Sequence, residues 1–485
     1  MKNTISFKIL TLFLCILIAS SCSKTENIPN DIKINDFVWR GMNAYYLWQP
    51  NVPNLSDRQF SNREQLNNYL ASYTSPDALF YDVLYYPEEY PQDPNRTFSW
   101  IVDDYIALEN SFQAIRETTG LRIEREFYAD GSNNVYMVIT DIISGSSAET
   151  NGLTRGMIFT EVDGVQLTIN NYADLLSADN FTITLADYNA GVPIANGTIV
   201  SLTRSQIQDN PVKIFDVVHE DAGNKIGYLL YNQFSTSFDD ELNAAFAYFK
   251  SEAVTGLIVD LRYNGGGAVA SAIYLGSMIT GQYNGELFSQ EVWNPKVMEN
   301  VDNNIFLSYF TDEIDNDIVK EPINSLNLPR VYFIVSGSSA SASELVINAL
   351  SAYIDVTLVG TQTYGKHVGS ITLYDSDNFL KNGPNFNTSH AWALQPIVLE
   401  IQNKNGENNP EGFSVDVEIE EDPNNLGILG VASGPDAEPL LERTIQYILT
   451  GAKPTLGRKA SRKNKPLWNS NMLYPDYNNM YVELK

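Results

Sequence analysis

The 485-residue chain carries 59 acidic and 31 basic side chains, a formal net charge of −28, and 44% hydrophobic residues. That charge argues against nucleic acid and anionic lipid surfaces as partners, since both would repel it. The apolar content suffices for two or three packed domains, and the only cysteines, Cys15 and Cys22, leave the folded part without a disulfide or a cysteine nucleophile.

Lys2 and Lys8 precede an apolar run over residues 9–18, and Ala19-Ser-Ser-Cys22 closes it with small residues. This resembles a bacterial lipoprotein signal, although Ala19 stands where leucine is commoner, and a plain secretory signal is the alternative. The resemblance implies removal of residues 1–21 and a lipid on Cys22. The run is too short to span a bilayer as a mature helix. An exported chain is expected, lipid-anchored at a bacterial membrane and facing the periplasm or the cell surface, with residues 22–34 as a polar tether.

Residues 35–115, with Phe37, Trp39, Tyr45, Trp48, Tyr81 and Tyr85, predict a small helical amino-terminal domain whose aromatic stripe forms core. A strand is predicted over 135–143. Gly145-Ser-Ser-Ala148, Gly152-Leu-Thr-Arg-Gly156 and Val162-Asp-Gly164 follow it. In this register they resemble a PDZ domain over residues 120–206, which implies capture of a peptide carboxyl terminus as an added strand. No carboxylate loop is identifiable, so a β domain that only packs on its neighbour is the alternative.

Residues 212–452 read as an α/β core. The apolar run Gly256-Leu-Ile-Val-Asp-Leu-Arg262 predicts a strand, broken by Tyr263-Asn-Gly-Gly-Gly267 before a helical pattern over 268–279. Successive glycines let backbone N–H groups face an oxyanion, though a tight turn needs glycine too. A second strand is predicted over 331–335, then the loop Ser336-Gly-Ser-Ser-Ala-Ser-Ala-Ser343, a helix over 344–353, and a third strand over 356–359 leading into Gly360-Thr-Gln-Thr-Tyr-Gly-Lys366. Such a β-α-β unit has parallel strands and places Ser341 and Lys366 at their carboxyl ends, where open α/β sheets carry their chemistry. A serine hydroxyl needs a base to become nucleophilic, and a lysine serves when its environment keeps the amine neutral. Ser341 and Glu344 also satisfy the S-x-x-E capping box, and a loop lysine is ordinarily solvated.

Other constellations are weaker. A Ser-His-Asp triad would draw on His219, His367 or His390, the only histidines, and His367 reads as a surface loop residue. No G-x-S-x-G elbow surrounds Ser341. Residues 360–366 match G-x-x-x-x-G-K, but His367 stands where a phosphate-binding loop needs Ser or Thr. The acidic run over 311–317 lacks the pattern of a calcium loop, and no zinc spacing occurs.

Taken together, 256–267, 338–344 and 360–366 resemble the carboxyl-terminal processing (tail-specific) peptidases, relatives of the tricorn core, and the similarity extends to residues 226–234 and 435–441. The resemblance implies a mixed α/β multidomain fold with a crotonase-like β-α-β arrangement. It also implies Ser341 as nucleophile, Lys366 as general base, and the N–H groups of Ala342 and Gly267, or of Gly266, as oxyanion hole, with no metal or organic cofactor. Many members carry a glutamine four residues after the lysine. Here that position is Ser370, so Ser370, Glu344 or another residue is left to orient the amine. The expected activity is endopeptidase cleavage of unfolded or flexible polypeptides, with their carboxyl termini as one point of capture. A silent peptide-binding relative and a hydrolase of non-peptide esters or amides are the alternatives, and residues 453–485 are read as a basic, then Asn- and Tyr-rich, tail.

Overall fold

A computed structural model describes residues 28–89, 97–316, 318–453 and 468–483. Cys22 and the leader lie outside the described residues. Among those described, no helix is long and apolar enough to cross a membrane.

The sheet that carries the site has six strands in the order Val212–Glu220, Lys225–Tyr231, Gly256–Asp260, Arg330–Val335, Asp355–Gly360 and Val417–Glu418. Its first pair is antiparallel and the rest are parallel. The near-continuous apolar runs follow from burial on both faces, as parallel sheets require. One face packs on helices Asp239–Ser251, Val269–Thr280 and Ala342–Ser351, and the other on helix Pro439–Thr450.

The first core also takes in Phe37, Val38, Met42 and Tyr46 of helix Lys33–Tyr45. The aromatic stripe of the helical region is thus continuous with the core of the main sheet. A separate β region, strands Leu121–Phe127, Val135–Ile142, Ile158–Val162, Asn180–Asp187 and Ile194–Thr203, encloses its own apolar cluster.

A second mixed sheet runs Gly267–Ala268, Met480–Tyr481, Val368–Ser370, Ile397–Gln402, Leu287–Trp293 and Leu307–Tyr309. The two-residue strand Met480–Tyr481 is parallel to both neighbours and is the piece that joins the glycine loop to the strand after Lys366.

One buried ionic cluster fixes the β region against the main sheet. The fully enclosed Arg262 guanidinium donates to Asp260, to both oxygens of Glu438 (2.8 Å each) and to Glu421 (2.9 Å). Arg155, from the β region, donates to Glu421 and to the Tyr263 hydroxyl (2.7 Å). Burial alone would raise the Glu421 carboxyl, but the two arginines overcome it and hold it at about 2. Glu421 therefore contributes stability above about pH 4, lost as pH falls toward 2. Removing one partner strands the others in a dry interior, which costs about 3–5 kcal/mol. Glu438→Ala is expected to lose that amount in urea unfolding at pH 7; a loss below about 1 kcal/mol would show that the cluster is not a keystone.

Candidate active site

Three loops meet at the carboxyl ends of the central strands. The serine loop leaves Arg330–Val335 and ends in helix Ala342–Ser351. Ser341 sits at the junction with φ 65° and ψ −115°, a left-handed conformation that a non-glycine residue holds at a cost of about 1–3 kcal/mol. The expected capping-box arrangement of Ser341 and Glu344 is in place, but its serine side makes no hydrogen bond. The Ser341 N–H donates to the Glu344 carboxylate at 3.0 Å, but the Ser341 Oγ is buried without any hydrogen-bond partner.

The lysine loop leaves Asp355–Gly360, and Lys366 is 1% exposed rather than solvated. Its Nζ donates to the Asn478 carbonyl at 2.8 Å and lies 4.9 Å from the Phe98 ring centroid. The two loops share one carboxylate. Glu344 accepts from the N–H groups of Ser341, Gly365 (2.8 Å) and Lys366 (2.8 Å) and from the Thr363 hydroxyl (2.6 Å). Burial raises the Glu344 carboxyl to about 7 against the pull of these donors.

The glycine loop closes the third side. Gly266 donates its N–H to Asn264 Oδ1 (2.9 Å), so that group is committed. Gly267 has φ 137°, and a Cβ there would fall 2.0 Å from the Phe234 carbonyl oxygen. A Cβ on Gly266 would fall 2.7 Å from Ser341 Cβ and 3.1 Å from Ala342 N. Ser341, Ala342 and the glycine loop are therefore in contact, and only glycine fits between them.

Ser370 is fully buried, its Oγ 2.9 Å from Asn479 Oδ1 and 3.1 Å from the Met480 carbonyl, and it accepts an N–H from Gln395 (3.0 Å). Gln395, Phe98 and residues 478–480 were not among the expected site residues; they arrive from remote parts of the chain that carry no local motif. Of the histidines, His219 pairs with Asp221 and His390 with Asp375. His367 is half-buried rather than a surface residue, and burial lowers it to about 4, leaving it neutral with Nδ1 unpartnered. None of the three bonds Ser341 Oγ, which has no partner.

Residues 225–404 match the description Peptidase family S41, and residues 33–100 match Peptidase S41 N-terminal domain. The chain belongs to peptidase family S41. It is 24% identical over 338 residues to the C-terminal processing peptidase, chloroplastic, of Tetradesmus obliquus, covering 67% of this chain and 65% of the relative. It is 28% identical over 244 residues to the carboxy-terminal-processing protease of Bartonella bacilliformis, covering 48% and 49%. The matches thus span about half to two thirds of the curated relatives' length. A crystal structure of an S41 protease from Bacteroides fragilis superposes with a TM-score of 0.62 at 22% identity, over 86% of this chain and 97% of that one, which bears on the fold.

Glu344→Gln replaces an acceptor oxygen with an N–H that faces other N–H groups. Misplacement of the two loops by about 1 Å is expected to lower kcat about 100-fold. In the parent, protonation of Glu344 has the same consequence, so activity should decline as pH falls through about 7. A pH-rate profile of both proteins checks this; an unchanged kcat in Glu344→Gln would remove Glu344 from the account.

Proposed function

We propose that the chain is a serine endopeptidase of the carboxyl-terminal processing type. The observation that carries this reading is the pairing of an unbonded, conformationally strained Ser341 with a buried Lys366 on a single carboxylate clamp. Ser341 Oγ attacks the scissile carbonyl while Lys366 Nζ takes its proton and returns it to the leaving amine. The developing oxyanion is met by the N–H groups of Ala342 and Gly267, since Gly266 spends its own on Asn264. The acyl-enzyme is then hydrolysed by water. Ser370, with Gln395 behind it, bonds Asn479 and Met480.

The substrate is an extended polypeptide, because strands Gly267–Ala268 and Val368–Ser370 both pair with an extended segment, Met480–Tyr481, lying between them. The β region, read as PDZ-like, captures the carboxyl-terminal part of the same chain, downstream of the cut. Cys22 carries the lipid that holds the enzyme at a membrane.

Ser341→Ala and Lys366→Ala are each expected to lower casein cleavage by about 10⁴-fold or more with the fold intact by circular dichroism. Cleavage that survives either substitution would contradict the dyad.

A further inference from the structure

Residues 468–483 run along the β region and then between the glycine loop and the lysine loop, in the groove beside Ser341. At its start, Asn469 pairs antiparallel with Glu124 on the edge strand Leu121–Phe127, Arg125 donates its N–H to the Trp468 carbonyl (3.1 Å), and the Trp468 indole joins the β-region core, edge-on to Tyr172 at 4.8 Å. Arg116 then holds Asp476 with two bonds (3.0 and 2.6 Å). Beyond this point the chain passes between the glycine loop and the lysine loop.

The register inside the groove follows from the backbone. Gly266 accepts from the Phe234 N–H and Ala268 donates to the Phe234 carbonyl, both at 2.9 Å, so the N–H and C=O of Gly267 face the opposite side, toward Met480–Tyr481. With Gly267 opposite Met480 in a parallel ladder, the carbonyl that meets the Gly267 N–H is that of Asn479. A second measure agrees. The Cβ position of Gly266 lies 2.6 Å from the Asn479 carbonyl oxygen, beside Ser341 Cβ and Ala342 N. The Asn479 carbonyl thus occupies the oxyanion position, and Lys366 holds the carbonyl one residue earlier.

The segment also lacks the finish of permanent core. Asn478 is 3% exposed with φ 59°, and neither polar atom of its side chain has a partner. Buried polar groups of lasting structure are nearly always paired.

We infer that this segment is bound in cis as a peptide substrate, with the Asn479–Met480 bond presented to Ser341. The inference rests on the dyad proposed above. Ser341 Oγ adds to the Asn479 carbonyl carbon and gives its proton to Lys366 Nζ, which swings from the Asn478 carbonyl. The C–N bond to Met480 breaks and the Met480 amine takes that proton. Water then supplies hydroxyl to the Asn479 carbonyl and a proton to Ser341 Oγ, leaving a free carboxylate on Asn479. The leaving strand is anchored by buried Met480 and by Tyr481, whose ring stacks on Phe112 at 4.1 Å. Return of the amine therefore competes with water, and the cut is a slow single turnover that opens the groove.

The test is intact-mass spectrometry of the purified chain over time at several concentrations, with casein cleavage followed in parallel. Expected is loss of the residues beyond Asn479 at a rate independent of protein concentration, absent in Ser341→Ala, faster in Phe112→Ala, and accompanied by a lag in casein cleavage. Casein cleaved while the Asn479–Met480 bond stays whole would overturn this inference and leave the proposed activity standing. A rate that rises with concentration would overturn the cis arrangement. Neither substrate cut would overturn both.

Discussion

The site depends on one buried carboxylate. Glu344 belongs to the first turn of the helix that follows the serine, yet three of its four donors lie on other chain positions that must be exact for chemistry: Thr363, Gly365 and Lys366. The fourth is the Ser341 N–H. A carboxylate in an apolar interior is costly unless its lone pairs are filled, so the lysine loop cannot move away from the serine loop without exposing that cost. The same cost explains why the carboxyl rises to about 7 in spite of four donors.

Around this clamp the strain is localised. Ser341 takes a positive φ, and Gly266 and Gly267 take conformations in which any side chain would strike the serine, the Phe234 carbonyl or Asn479. The Arg262 cluster stiffens the base of the glycine loop, since Arg262 and Tyr263 immediately precede it and bind Glu421 and Glu438. Arg155 carries that rigidity to the β region, so the surface that receives Asn469 and the groove that receives Asn479 are held in a fixed relation.

The strand-loop-helix units were legible in the sequence because buried parallel strands leave short β-branched runs and each run ended in glycine or serine. Ser341 and Lys366 followed from those loops. The S-x-x-E pattern was visible and its arrangement is in place: Glu344 caps the Ser341 N–H, while the serine Oγ makes no hydrogen bond. Burial of Lys366 was not readable, since it is imposed by Phe98 and Asn478 from distant segments. The returning segment itself left little signal. Its strand is two residues long, too short for periodicity, and its aromatic anchors Trp468, Tyr474 and Tyr481 stand in a polar stretch that reads as tail.

Native-state amide exchange at Ser341, Gly365 and Lys366 tests the clamp most directly, in the parent and in Glu344→Gln. Strong protection is expected at all three in the parent, and fast exchange there in Glu344→Gln while strands Gly256–Asp260 and Arg330–Val335 stay protected. Equal protection of the three amides in both proteins would contradict it.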